Sequence, residues 1–160
     1  MKQASIPYYK TPFFSQLIND YLLEHPELSS FYNRANRIEN YSLQIQEKQQ
    51  QTLDRELLIS VLKEQNKSIS LSDVSSENID LLSQPNTYTI TTGHQLCIFT
   101  GPLYVIFKIV STINLAKKLK EYYPNYHFVP LFWLASEDHD FEEINHVNAF
   151  GRNISWTTQQ

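Results

Sequence analysis

Residues Thr87–Asn145 contain the succession of elements that decides the fold: TYTITTGHQLCIFTGPLYVIFKIVSTINLAKKLKEYYPNYHFVPLFWLASEDHDFEEIN. The first six, Thr87–Thr92, are mostly threonine with one tyrosine and one isoleucine, a composition that favours a β-strand. From Pro102, apolar residues recur at spacings of three and four, which predicts an amphipathic helix ending before Pro124. Phe128–Ala135 is almost entirely apolar, as is typical of a strand buried on both faces. The order strand, helix, strand predicts an α/β fold with a parallel sheet.

The flanking sequence predicts helices before this core and a hairpin after it. Apolar residues at helical spacing predict helices at Phe13–Leu23, at Pro26–Arg34 and within Asn36–Lys67. We therefore expect residues 1–84 to form a helical amino-terminal region that packs on the core, and residues 85–160 to form the first part of that core. His146–Phe150 and Asn153–Thr157, separated by a glycine turn, predict a β-hairpin. Because a parallel sheet needs further strands and helices, we expect the core to be partial.

Composition narrows the class of protein. The net charge of −4 and the pI of about 5.7 give no electrostatic basis for binding nucleic acid or an anionic membrane. The absence of a signal peptide or a membrane-spanning run and the single cysteine, Cys97, predict a cytoplasmic protein in a reducing compartment. Cys97 lies in the apolar run Leu96-Cys97-Ile98, so we expect a buried, inert thiol.

The segment after the first strand is one candidate binding region. The chain has only three glycines, and Gly93 and Gly101 lie on either side of this short loop. We interpret Gly93-His94-Gln95 as a turn whose backbone N–H groups could face a phosphate, with Thr92 beside it and His94 as a further donor. The pattern matches neither known glycine-rich phosphate loop, and a tight turn with a partly buried histidine is the alternative.

Two further residues have alternative interpretations. Lys108 lies on the otherwise apolar predicted helix, where its ammonium would either extend to solvent or point into the crevice at the strand ends. Trp133 lies in the second strand, where it would be part of the core or the floor of that crevice.

The second strand is followed by a cluster of ionisable residues. Glu137, Asp138, His139 and Asp140 are consecutive, and they come where open α/β sheets bind ligands. Crowded carboxylates with a histidine can bind Mg²⁺ or a substrate ammonium, or act as acid and base. On a helix, His139 would share a face with Glu143, and Glu142 with His146. One alternative function is therefore a metal-dependent hydrolase that uses the segment Glu137–His146. The spacing of these residues matches no known zinc motif. A second alternative is a solvated acidic loop on a non-catalytic binding domain.

Two motifs together resemble a known family. TTGHQ, followed by FTGPLYVIFKIVSTINLA, and then VPLFWLASEDHDFEEINHV resemble the bacillithiol biosynthesis cysteine-adding enzymes, a family of cysteine ligases. The opening IPYYKTPFFSQLINDYL and the segment FYNR are similar to the start of the same family, so the resemblance covers essentially all 160 residues. It implies a Rossmann-like core, here partial and amino-terminal, with a coiled coil elsewhere in a longer protein through which a homodimer is possible.

The resemblance also implies an activity. Family members join the carboxyl group of cysteine to the amino group of glucosaminyl-malate, the last step of bacillithiol synthesis. Activating a carboxylate for amide formation requires a good leaving group, so ATP, with Mg²⁺, is a candidate cofactor. We expect Thr92, Gly93, His94, Gln95, Gly101 and Lys108 to line the nucleotide or substrate region, with Trp133 and Asp140 nearby. Glu137 and Asp138 would hold the ammonium of cysteine, and His139 would move a proton. We expect no resident metal site, and this segment alone to be inactive.

Overall fold

Two parallel strands joined by a long helix form the part of the fold that carries the predicted site. In the computed structural model, which describes residues 4–138 and 141–157, β1 spans Thr87–Gln95 and β2 spans His127–Ala135. The strands are paired over their whole length, from Thr87 opposite His127 to Gln95 opposite Ala135. The predicted strand, helix and parallel strand are confirmed.

Helix α5, Leu103–Tyr122, connects these strands and packs on both of them. It begins directly after Pro102, whose missing N–H costs nothing at a helix start. Its sheet-facing side chains are small or aliphatic, and Val105, Ala116 and Leu119 are buried. At the far end, the ammonium of Lys120 donates to the carbonyl oxygens of residues 124 and 126, at 2.8 and 3.0 Å. The helix is therefore fixed by apolar packing along its length and by a cation at its carboxyl end.

Strand β1 is longer than the sequence indicates. The predicted turn at Gly93-His94-Gln95 is wrong, because these residues continue the parallel pairing, opposite Trp133 to Ala135. Gly93 is needed for close approach of the strands: an added Cβ atom would lie 2.7 Å from the main-chain oxygen of Trp133 and 3.0 Å from its Cβ atom. The glycine that suggests a turn instead allows the two strands to pair closely.

Strand β2 is less buried than the sequence indicates. Val129 is buried, but Phe132, Trp133 and Leu134 are 38%, 60% and 53% exposed. The expectation of a strand buried on both faces is wrong for this half of β2. In the described part of the chain β2 pairs only with β1, so the other edge of β2 has no neighbouring strand.

Helices α3, Arg55–Gln65, and α4, Asp73–Leu81, precede the sheet. The guanidinium of Arg55 donates to the main-chain oxygens of Leu82, at 2.8 Å, and Thr87, at 3.1 Å. One side chain therefore connects the start of α3, the end of α4 and the start of β1. These charge-assisted hydrogen bonds satisfy two carbonyl groups of largely buried residues.

The chain after β2 forms a short helix and a hairpin. Helix α6 spans Phe141–Ile144, and strands β3, His146–Ala149, and β4, Arg152–Ser155, pair antiparallel. The two turn residues, Phe150 and Gly151, have φ of 52° and 73°, the left-handed geometry that favours a two-residue hairpin turn. The predicted hairpin is confirmed.

By its internal contacts the chain divides into two units, Met1–Gln50 and Gln51–Gln160, and the elements above lie in the second. In the first unit, α1 spans Gln16–Leu22 and α2 spans Tyr41–Gln49; short 3₁₀ turns lie at Tyr8–Lys10, Pro26–Leu28 and Ile38–Asn40. The helix predicted within 13–23 is present but shorter. That predicted for 26–34 is only a 3₁₀ turn, because the main-chain hydrogen bonds that follow Pro26 span three residues, as in Ser29 N–H to Pro26 and Phe31 N–H to Leu28, and not four. The predicted division of the chain near residue 84 stays a prediction.

A charged cluster orders the end of the first unit. The guanidinium of Arg34 lies 2.6 Å from a carboxylate oxygen of Glu47, which also accepts from the amide of Asn33 at 2.9 Å. The hydrogen bond from Arg34, followed by that from Asn33, lowers the pKa of Glu47 below its usual value. Neither unit, over the residues described, contains a helix long and apolar enough to cross a membrane.

Candidate functional site

His94 lies near the carboxyl end of β1, and both of its ring nitrogens are engaged. Only 8% of the residue is exposed. Nδ1 lies 3.0 Å from the main-chain oxygen of Gln95, which can only accept, so the proton of the neutral ring is on Nδ1. Nε2 lies 2.5 Å from the hydroxyl of Tyr104 and then accepts a hydrogen bond from it. His94 therefore stabilises the strand end and is not a free donor for a ligand.

Lys108 points toward the strand end, the second of its two predicted orientations. Its ammonium donates to the main-chain oxygen of Gly93 at 3.2 Å and lies 5.3 Å from the ring centroid of Tyr104. The side chain is nevertheless exposed to solvent. An ammonium carries three donors, so two N–H groups of Lys108 are left for an anionic ligand.

Gln95 and Asp138 connect the two predicted halves of the site. The side-chain amide of Gln95 donates to a carboxylate oxygen of Asp138 at 2.9 Å, across 43 residues of sequence. Both strands run in the same direction, so their carboxyl ends meet at one edge of the sheet. The end of β1 is thus in contact with Lys108 of α5, through Gly93, and with Asp138 after β2, through Gln95.

The remaining predicted residues lie in different surroundings. Glu137 is exposed in the turn after β2. Trp133 is opposite Gly93 and 60% exposed, so it is not part of the core in this part of the chain, and its role as the floor of the crevice stays a prediction. Thr92 is half-buried on the face of β1 that α5 covers. His139 and Asp140 lie outside the described residues, and their assigned roles stay predictions.

The loop between β1 and α5 has an unusual backbone. Phe99, Thr100 and Gly101 are consecutive residues with φ of 50°, 70° and 69°, a run that costs energy for the two that are not glycine. An added Cβ atom at Gly101 would lie 2.7 Å from the sulfur of Cys97. This position therefore requires glycine both for its backbone conformation and for lack of space. The expectation of a buried Cys97 is wrong: the thiol is exposed, because its apolar neighbours lie in this loop and not in a packed element.

A separate groove lies between α4, α5 and β2. Its volume is about 770 Å³, and its walls are mostly apolar, including Ile109, Ile113, Phe128 and Phe132. Of the predicted site residues only Thr92 lines it. This groove is therefore distinct from the cluster at the strand ends, and its charged lining residues are Lys117, Lys120 and Glu121.

The cluster at the strand ends carries charges of both signs. Lys108 supplies positive charge and Asp138 negative charge. The phosphate-binding turn expected at residues 93–95 is not formed, since successive N–H groups of an extended strand point in opposite directions and cannot converge on one phosphate. Within residues 4–138 and 141–157, no three His, Cys, Asp or Glu side chains converge to hold a metal ion. Binding of a phosphate or carboxylate would therefore depend chiefly on Lys108.

Tyr104 is the residue of this cluster that sequence reasoning missed. It contacts His94 through its hydroxyl and Lys108 through its ring. The spacing of four between Tyr104 and Lys108 on a predicted helix is a signal that could have identified the second contact. The contact with His94 depends on the path of the loop before α5, which no periodicity indicates.

The whole chain matches a described protein family. Residues 1–160 match the family "Bacillithiol biosynthesis BshC, N-terminal Rossmann-like domain". This match confirms the predicted Rossmann-like α/β fold and the resemblance carried by the two central motifs.

Curated relatives give the same result. "Putative cysteine ligase BshC" of Flavobacterium psychrophilum is 52% identical over 161 residues, covering 99% of this chain and 30% of the relative. The proteins with this name from Christiangramia forsetii and Cytophaga hutchinsonii are 51% and 41% identical, covering 98% and 92% of this chain and 29% and 28% of each relative. The chain thus spans about 30% of the length of the curated relatives it matches. It belongs to the family of N-terminal Rossmann-like domains of BshC, the bacillithiol biosynthesis proteins.

Proposed function

We propose that this chain forms part of the substrate site of a cysteine ligase that joins the carboxyl group of cysteine to the amino group of glucosaminyl-malate. The family description and the relatives' names support a ligase of bacillithiol biosynthesis. A cytoplasmic location and a homodimer through a coiled coil outside these residues belong to the same proposal. The segment alone would be inactive, because it corresponds to less than a third of each relative.

The observation that carries the proposal is the cluster at the ends of β1 and β2. Lys108 and Asp138 place opposite charges at the edge where α/β sheets bind ligands. Cysteine carries both a carboxylate and an ammonium, so it needs groups of both signs. We assign Asp138 to the ammonium and Lys108 to a carboxylate or phosphate, with Gln95 orienting the carboxylate of Asp138.

The chemistry needs two contributions from the protein. Formation of an amide from a free carboxylate requires that the departing oxygen be activated, and ATP with Mg²⁺ would supply this. The attacking amine loses a proton, which a carboxylate such as Asp138 or Glu137, or the imidazole of His139, would accept. Lys108 would stabilise the negative charge on the activated group.

The proposal is tested by ligation with a full-length ligase that carries this sequence. We expect Lys108→Met and Asp138→Asn each to lower kcat/KM by about tenfold or more, because each removes a charge-assisted hydrogen bond to substrate. Lys118→Met, the same change on the exposed side of the same helix, is the matched control and should leave kcat/KM unchanged.

Other outcomes would favour other functions. Wild-type rates in both variants would refute the assignment of this cluster. Stoichiometric, tightly bound metal together with hydrolytic activity would favour the metal-dependent hydrolase. A well-folded full-length protein that binds neither cysteine nor a nucleotide would favour the non-catalytic binding domain.

A further inference from the structure

We propose that Tyr104 is a positioning residue with two separable roles: its hydroxyl holds the imidazole of His94 by donating to the buried Nε2, and its ring holds the ammonium of Lys108 at the end of β1. The second role rests on the proposed function, because it concerns the anionic ligand assigned to Lys108. The first role depends only on the fold.

The hydroxyl role follows from the hydrogen-bonding capacity of the imidazole. The main-chain oxygen of Gln95 takes the proton of Nδ1, at 3.0 Å. Nε2 of the neutral ring is then an acceptor, and in a residue only 8% exposed it needs a donor. The Tyr104 hydroxyl at 2.5 Å is that donor. Without it, Nε2 would be a buried acceptor with no partner.

This hydrogen bond also connects the helix start to the strand end. Tyr104 is the second residue of α5, and His94 is the second-last residue of β1. Between them lies the loop with three left-handed residues in succession, which offers little regular structure to hold the two ends together. The two rings lie 5.2 Å apart, centroid to centroid, and so pack as well as hydrogen-bond. Tyr104 therefore joins the start of α5 to the end of β1.

The ring role follows from the position of Lys108 one helical turn later. Its ammonium lies 5.3 Å from the centre of the Tyr104 ring, within the range of cation–π attraction. The same ammonium donates to the oxygen of Gly93. These two contacts restrict an otherwise flexible lysine, so less entropy is lost when it binds an anion. Loss of the ring would weaken that binding without removing the charge.

The test uses two substitutions in a full-length ligase that carries this sequence. Tyr104→Phe keeps the ring and removes the hydroxyl, whereas Tyr104→Leu removes both. The first readout is the ¹⁵N spectrum of selectively labelled histidine, with His94→Asn to assign the signals. The second is the Kd for inorganic pyrophosphate, with Lys108→Met as the reference variant and Lys118→Met as the control.

We expect different results for the two substitutions. Tyr104→Phe should shift the Nε2 signal of His94, because that nitrogen loses its hydrogen bond, and should leave the pyrophosphate Kd within about twofold of wild type, since the ring stays. Tyr104→Leu should change the spectrum and also raise the Kd by about two- to fivefold, the effect of an exposed cation–π contact. Adding Tyr104→Leu to Lys108→Met should raise the Kd no further.

Each role has its own refuting result. Unchanged His94 signals in Tyr104→Phe would overturn the hydroxyl role, and equal Kd values for Tyr104→Leu and wild type would overturn the ring role. Failure of the proposed function can be distinguished from failure of the hydroxyl role. If the proposed function is wrong, Lys108→Met and Asp138→Asn will ligate at wild-type rates, while Tyr104→Phe will still change the His94 spectrum.

Discussion

Replacing Gly93 by alanine is the sharpest perturbation of the predicted site that the structure allows. The new Cβ atom would lie 2.7 Å from the main-chain oxygen of Trp133 and 3.0 Å from its Cβ atom. Both are parts of the neighbouring strand, so neither can rotate away. To restore ordinary contact, β1 and β2 must separate by about half an ångström at this pair.

The expected cost follows from two opposing effects. Forcing an extra carbon into a packed contact costs about 1–3 kcal/mol. Alanine in place of glycine restores about 0.4–1 kcal/mol by restricting the unfolded chain. We therefore expect a net loss of about 1–2 kcal/mol in the free energy of unfolding. The oxygen of Gly93 would also shift away from the ammonium of Lys108, which links the loss of stability to the site.

Urea denaturation of the 160-residue chain at low concentration, followed by tryptophan fluorescence, measures this loss. Trp133 lies directly opposite the substitution and reports on it. Thr91→Ala, on the same face of β1 and exposed, is the matched control and should change the free energy of unfolding by about 0.5 kcal/mol or less. A Gly93→Ala chain as stable as wild type would refute the inference that close strand approach requires this glycine.

Three further predictions concern other parts of the molecule. Arg55→Met should lower the free energy of unfolding in denaturant by about 1–3 kcal/mol, because two carbonyl groups lose a charged donor. Lys67→Met removes an exposed ion pair and should change the free energy of unfolding little. Because folding lowers the pKa of Glu47, its carboxylate stabilises the folded chain at pH values above the unfolded-state pKa, near 4.5. This stabilisation is lost as the pH falls through the lower pKa of the folded state. Glu47→Gln should therefore flatten the acid side of the pH–stability profile, and an unchanged profile would contradict this. The isolated chain should self-associate in sedimentation experiments through the apolar outer side of α5. Phe107→Glu, at a residue that is 63% exposed, should reduce this self-association. A wild-type chain that stays monomeric at all concentrations would contradict the prediction.

Local patterns in the sequence predicted the order of elements well. The apolar spacing after Pro102, the β-prone run before Gly93 and the glycine turn of the final hairpin each depend on neighbouring residues only. Features of that kind are carried by the local chain and can be inferred from it.

Features that depend on packing partners were harder to predict. Gly93 indicated a turn, yet its role is close contact with Trp133, 40 residues later. The apolar composition of β2 indicated burial on both faces, yet burial requires neighbouring elements that this part of the chain does not supply. Cys97 is in an apolar run that becomes a loop, and Tyr104 reaches His94 only because of the path of that loop. The sequence predicted that the cluster lies at the ends of the strands. The contacts within the cluster, such as that between Tyr104 and His94, are visible only in the structure.

The most direct test of the central claim is calorimetric titration of a full-length ligase carrying this sequence with cysteine and ATP. We expect Asp138→Asn to weaken binding of cysteine by about tenfold or more and Lys108→Met to weaken binding of at least one of the two ligands, while Lys118→Met should bind both like wild type. Equal affinities in all three variants would contradict the claim that the ends of β1 and β2 form the substrate site.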